Sequence, residues 1–370
     1  MTAAAARAHR PALRSGVLLS GPLLRGPRTV HLVRHPVTGA AFEVGVKEHF
    51  LMTRLDGTRN LDDLAPVYAD RFGRRLGEDH WYRLLGLLGA RGLLAGAPDP
   101  APPATAPKPP NSVWRGTRPL VADADATTAR LHRALRPLLR PAVQYPLLVA
   151  VLAFLALFAV RAPELIDGAA WLVRRPVALL GAALFLWLSI TLHELAHGVA
   201  AQHYGGHVAE IGLRWRLPAA LLYCTVDDYL FLPGRRAKLV IAGAGAHLNM
   251  VLLLPFAVWW LLLPAGAPER PALAGLLVLG TVQGLSNLVP LPPLDGYRML
   301  GQVLGTARLA AETRTYLAVR RGGRGSPALA AYPARARRIH TAYAIGAVAL
   351  VLLAAAGTVA FVLAVLGVLG

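Results

Sequence analysis

Cysteine is almost absent. The 370-residue chain has one, Cys224, which excludes a disulfide framework and any cysteine-ligated zinc site. Acidic residues are scarce as well: 20 Asp and Glu stand against 39 Lys and Arg, a formal net charge of +19. Such a surplus raises nucleic acid as a partner. The arginines, however, cluster in loops between apolar runs, the pattern of cytoplasmic loops in a membrane protein, so no nucleic-acid partner is expected. No internal repeat is evident. No sustained apolar core precedes Arg25, so no secretory signal peptide is expected. Hydrophobic residues make up 55% and the mean hydropathy is +0.46. That is too apolar for an ordinary soluble domain and suits a polytopic membrane protein joined to a soluble part.

The most informative stretch runs from Val177 to Ala201, an apolar run ending in His193-Glu194-Leu195-Ala196-His197. In a helix His193 and His197 lie four residues apart on one face, so both imidazoles can reach one ion. Glu194 is close enough to hold a water and take its proton. Three ionisable groups at the end of a membrane-length helix are costly unless they face a protein interior and act there. A catalytic zinc needs a third protein ligand and an open position. His203 has the spacing of an extended zinc motif, but Ala200 stands where that motif needs glycine. Glu210 follows Gly205-Gly206. Asp295 closes Asn287-Leu-Val-Pro-Leu-Pro-Pro-Leu-Asp295-Gly296, at the end of another apolar segment, and is the preferred third ligand.

H-E-x-x-H on one apolar helix followed by N-x-x-P-x-P-P-L-D-G after a later one resembles the site-2 protease family of intramembrane zinc metalloproteases. The resemblance covers residues 140–300. It implies His193, His197 and Asp295 as ligands of one zinc ion, Glu194 as general base, and substrate contacts for Asn249 and Asn287. The family usually shows A-G-P-x-x-N between the two motifs. Here the chain reads Ala242-Gly243-Ala244-Gly245-Ala246-His247-Leu248-Asn249, without the proline and with an extra His247.

Taken in order, residues 1–27 are basic, with scattered Pro and Gly, and are expected to be disordered. Residues 28–95 read as a small α+β domain. Two β-like runs, Thr29-Val-His-Leu-Val33 and Ala41-Phe-Glu-Val44, flank a turn at His35-Pro-Val-Thr-Gly39. Helical patterns follow at 46–55, after a capping Asn60, and at 78–90. This order is similar to the PqqD-like, winged-helix-like modules that bind leader peptides, which implies peptide binding by residues 28–95. A winged-helix-like domain with a structural or DNA-binding role is the alternative; Glu78 and Asp79 on the last helix weigh against DNA. Residues 96–110 form a Pro/Ala linker. Residues 125–141 set Leu131, Leu135, Leu138 and Leu139 among Arg130, Arg133, Arg136 and Arg140, a basic amphipathic helix at a membrane surface.

Residues 142–370 then carry the metalloprotease domain, with about five expected spans: 145–160, 177–200, 239–263, 272–289 and 341–369. Basic loops before the first, after the second and after the fourth alternate consistently. They set a multi-pass protein of the cell membrane with a cytoplasmic N-terminus. Residues 161–176 become an outer loop. Both motifs then fall near the cytoplasmic face, with the metal just inside the membrane. Between the second and third spans, residues 207–226 are too polar to span and too apolar for open water. They read as a β-like hairpin or re-entrant piece at the rim, able to pair with an extended substrate. The function expected is zinc-dependent hydrolysis of a peptide bond in a peptide or membrane-protein substrate. The alternatives are a metal transporter or sensor, and a membrane-bound peptide-binding protein with a vestigial site.

Overall fold

The computed structural model describes residues 9–100, 111–217, 219–323 and 326–365. The chain divides into two compact units, one within residues 1–109 and 323–336 and the other within 110–322 and 337–370.

In the first unit the amino-terminal stretch is a correction. Residues 9–27, expected to be disordered, carry β1 (Leu18–Leu19) and β2 (Leu23–Arg25). Ala12 and Leu13 also bridge to Asp56 and Leu94. The reason is apolar content that the arginines masked: Leu13, Val17 and Leu19 pack against the core, and Leu23 is buried. Both short strands pair antiparallel with β3 (Arg28–Arg34), whose other edge takes β4 (Ala41–Gly45) in the register Val33 opposite Phe42. The turn joining β3 to β4 forms at His35–Gly39. Gly39 has φ +66°, a left-handed conformation open to glycine at little cost. The His35 Nδ1 accepts the Val37 and Thr38 N–H groups at 3.2 and 3.1 Å.

Three helices follow: α1 (Val46–Met52), α2 (Leu61–Phe72) and α3 (Glu78–Ala90). Asn60 caps α2 through a reciprocal pair, Asp63 N–H to Asn60 and Asn60 N–H to Asp63, each 3.0 Å, which satisfies two orphan donors at the helix start. Trp81, Leu51, Leu64, Leu88 and Leu93 are wholly enclosed between these helices and the sheet. Each such side chain contributes about 1.5–3 kcal/mol by leaving water.

His49 stacks on His31 with ring centroids 3.6 Å apart. Burial, and after it the facing His31 ring, hold His49 down to about 4 from an ordinary 6.5. As pH falls from 6.5 towards 4 the unfolded chain therefore takes up a proton that the folded unit refuses, and stability is lost across that window. Hydrogen exchange of the α1–α3 amides in the full-length protein, corrected for intrinsic rates, is expected to show weaker protection at pH 5 than at pH 7. His49→Phe should flatten that difference; an unchanged difference in this variant assigns it to another group.

The second unit opens with a strand that the sequence reading missed, β5 (Arg115–Pro119). Then α4 (Ala124–Leu135) ends six residues short of the helix expected over 125–141, and α5 (Pro141–Val160), the span expected at 145–160, starts four residues early. Pro137 and Pro141 explain the break. Proline lacks the N–H that the preceding turn needs, and it disfavours helical geometry in the residue before it. Asp125 docks α4: its carboxylate accepts from the Gln202 amide at 2.6 Å and the Val208 N–H at 2.9 Å, and it pairs with His207 at 3.1 Å.

Residues 161–176, expected as a loop, contain α6 (Ala162–Val173). Its buried Leu165, Ala169 and Leu172 form a helical stripe. The H-E-x-x-H segment lies on α7 (Pro176–His203). The expected hairpin is present as β6 (Val208–Arg216) and β7 (Ala219–Val226), with β5 on the far side of β6. The remaining helices are α8 (Arg235–Leu262), α9 (Arg270–Ser286), α10 (Asp295–Leu304), α11 (Leu309–Arg321), α12 (Pro327–Ala330) and α13 (Ala334–Val365).

Four helices among the described residues are long and apolar enough to cross a membrane: α5, α7, α8 and α13. Their exposed side chains include Leu152, Leu184, Val258, Val348 and Leu353. Such surfaces suit a hydrocarbon surround, where every backbone group is already paired within the helix. The fifth span expected, 272–289, is instead the 17-residue α9. At about 1.5 Å per residue it reaches roughly 26 Å, short of a hydrocarbon core of about 30 Å, and nine of its 17 residues are buried, while Val282 and Leu285 are exposed. Its Gly275 meets Gly168 of α6 so closely that a Cβ there would stand 2.7 Å from the Gly168 carbonyl oxygen. This is the small-residue contact that lets helix backbones approach in membranes.

Candidate metal centre

The helical spacing of His193 and His197 puts both rings on the face of α7 turned inward. Both are buried, at 4% and 3% exposure. Asp295, 7% exposed, reaches them from another part of the chain. After α9 ends, the proline-rich segment turns back and Asp295 becomes the first residue of α10. A carboxylate in the first turn complements the positive end of the helix dipole. The turn is pinned by the Gly296 N–H donating to the Asn287 carbonyl at 2.8 Å. A Cβ on Gly296 would stand 1.9 Å from the Leu288 carbonyl oxygen, so only glycine follows the aspartate here.

The three ligand atoms form a near-equilateral triangle. His193 Nε2 is 2.9 Å and His197 Nε2 is 3.2 Å from Asp295 Oδ2, and the two nitrogens are 3.2 Å apart. Atoms bound tetrahedrally at about 2.0–2.2 Å lie roughly 3.3–3.6 Å apart, so the triangle is slightly tighter than a tetrahedral ion sets, by about half an ångström on its shortest edge. Among the described residues this trio is the group of three or more such side chains placed to hold a metal.

The back of each imidazole is held. His197 Nδ1 lies 2.7 Å from the Ile241 carbonyl. A carbonyl can only accept, so Nδ1 carries the proton and Nε2 keeps its lone pair for an ion. His193 Nδ1 lies 3.1 Å from the Asn249 amide, whose other end meets the Ser189 hydroxyl at 3.0 Å. The nitrogen of that amide faces His193 and its oxygen accepts the Ser189 hydroxyl; exchanging the two amide atoms, which the network also allows, would let His193 Nδ1 donate and free its Nε2 for an ion. Asn249, expected to contact substrate, lies against His193 and Ser189. Its amide is buried and occupied at both ends, which makes it a positioning group for His193. Asn287 is half-buried, donates its amide N–H to the Gln283 carbonyl at 3.2 Å, and has a free Oδ1 among the described residues. His247 is accounted for by its hydrogen bond to Gln144 of α5 at 3.1 Å.

The rejected ligands lie in other contacts. His203 is exposed and its Nδ1 meets His132 Nε2 at 3.3 Å. Glu210 accepts the Tyr223 hydroxyl. Glu194 is half-buried beside the trio. One of its oxygens accepts the Cys224 N–H of β7 at 3.3 Å, and the other has no protein partner among the described residues. Burial, then the Glu194 carboxylate, push the Cys224 thiol up to about 12, so it stays protonated and is no nucleophile near neutrality.

One determinant was not visible as a motif. Gly245 of α8 faces His193, and a Cβ there would stand 2.5 Å from three atoms of the ring. Gly245→Ala should therefore displace the imidazole and weaken binding of a metal at this trio about tenfold or more, the scale of lost ligand support. Alanine also favours a helix by roughly 0.5–1 kcal/mol over glycine. Titration against a competing chelator separates the two effects, and unaltered affinity would exclude the steric argument.

No family model matches the chain, and no curated protein or solved structure is similar enough to match it.

Proposed function

We propose that this protein is a zinc-dependent endopeptidase that hydrolyses a peptide bond within or beside the membrane. The observation that carries the reading is the buried triangle of His193, His197 and Asp295, with Glu194 beside it on a helix long and apolar enough to cross a bilayer. The motif resemblance to site-2 proteases points the same way. A zinc ion held by the three ligands would polarise the scissile carbonyl and make a bound water more acidic.

The chain's own groups do the rest. Glu194 takes a proton from water through its free oxygen as the water oxygen bonds to the carbonyl carbon. The same carboxyl then gives that proton to the amine nitrogen as the C–N bond breaks, which returns Glu194 to its charged form. The Cys224 N–H restrains the other oxygen, so the carboxylate is aimed without being neutralised. Asn249 and Ile241 hold the imidazoles at fixed angles. In this scheme the amino terminus is cytoplasmic, and residues 28–95 hold the peptide to be cut.

Purified protein reconstituted in lipid with a membrane-anchored reporter tests the reading. Cleavage should vanish with a zinc chelator and return with added zinc. Cleavage that survives complete metal removal rejects the metallopeptidase. Deleting residues 1–110 should slow cleavage at subsaturating substrate while zinc content holds. Transport is the second reading among membrane metal sites, and zinc uptake into vesicles in the absence of any cleavage would favour it.

A further inference from the structure

Away from the metal, the junction of α4 and α5 forms a cavity of about 380 Å³ lined by Arg133, Arg136, Arg140, His203, Pro137 and Pro141, among others. That volume lies within the range of small-ligand sites. No carboxylate pairs with the three arginines among the described residues. Three guanidinium groups gathered without a counter-ion repel one another, and an anion relieves that repulsion while taking several charge-assisted hydrogen bonds. The His132–His203 contact, 3.3 Å between nitrogens, ties the end of α7 to α4 at the cavity wall.

The surroundings select the kind of anion. Leu135, Leu138 and Tyr145 flank the cavity in sequence and are 37%, 54% and 59% exposed. Pro141, on the cavity wall, begins the apolar α5, and His203 ends the apolar α7. Two helices long enough to span a membrane thus reach the cavity with an end, which sets it at the level of lipid headgroups. A free anion would need the charge but not the apolar shelf; an amphiphile uses both.

We propose that Arg133, Arg136, Arg140 and His203 form a binding site for the phosphate headgroup of an anionic phospholipid, with its acyl chains lying along α5. The site would seat α4 on the membrane beside the carboxyl end of the metal-bearing helix. It does not rest on the hydrolytic reading, because it is measured without substrate.

The test uses full-length protein in detergent with an equimolar mixture of phosphatidylglycerol and phosphatidylcholine, retained lipid being read by native mass spectrometry. The wild type is expected to keep phosphatidylglycerol in preference. The combined R133Q, R136Q and R140Q substitutions should reduce that preference about tenfold or more, given a contribution of roughly 1 kcal/mol for each basic residue near an anionic surface. R136Q alone should give a partial loss, which guards against misfolding of the triple variant. R174Q with R175Q, outside the cavity, should change nothing. Equal preference in wild type and triple variant overturns the proposal. So does displacement of the lipid by millimolar inorganic phosphate, which would assign the cavity to a free anion, or binding of a phosphopeptide in place of the lipid.

Discussion

Glu194→Gln is expected to abolish peptide hydrolysis while leaving the zinc in place. The amide matches the carboxylate in shape, and its oxygen can still accept the Cys224 N–H, so β7 stays docked on α7. What it cannot do is take a proton from water. General acid–base catalysis by one positioned group is worth about 10²–10⁴-fold, and a loss of that size should appear in kcat rather than in KM, because the group acts on the reacting atoms. Metal analysis of the same preparation shows whether the centre survives. Near wild-type turnover in a zinc-loaded Glu194→Gln protein would remove Glu194 from the mechanism.

The second large effect concerns the ligand that comes from farthest along the chain. Asp295→Ala leaves two imidazole nitrogens 3.2 Å apart with no anion to balance a dication. Zinc affinity is expected to fall on the order of 10²-fold or more, since even support groups one step removed from a metal cost 10–100-fold. His203→Ala and Glu210→Ala should keep their zinc, because His203 contacts His132 and Glu210 contacts Tyr223. A fully loaded Asp295→Ala protein together with an empty His203→Ala or Glu210→Ala protein would transfer the third ligand elsewhere.

The parts of this site that sequence reading reached are those where chemistry and spacing coincide. H-E-x-x-H needs only a helix to bring its imidazoles together, and an apolar run supplies the helix. Asp295 could be singled out because prolines end the helix before it. The supporting groups were less legible. The motif resemblance implies a substrate contact for Asn249 and says nothing of its contact with His193, which only the structure shows. Gly245 is one small residue among several, distinguished only by the ring lying against it. β5 consists of Arg-Gly-Thr-Arg-Pro, which has no alternation to detect; pairing with β6 creates it as a strand. Net charge likewise hid the apolar residues of 9–27, and α6 was mistaken for a loop because three arginines and two prolines frame it. In each case a tertiary partner overrode the local pattern.

The shortness of α9 bears on how the protein is made. A 17-residue segment with nine buried residues, three of them glycine, gains little from lipid on its own. Its Gly275 needs the facing backbone of α6, and its Gly280 and Gly284 meet Leu253 and Met250 of α8. Such a segment is held in place by its packing against α6 and α8. Asp295 lies only nine residues beyond its end and reaches the two histidines only when that packing has formed. If the trio holds a metal as proposed, loading is expected to follow the packing of α9 against α6 and α8. The fraction of metal-bearing molecules in a membrane preparation would then count the chains in which this packing is complete, before any substrate is added.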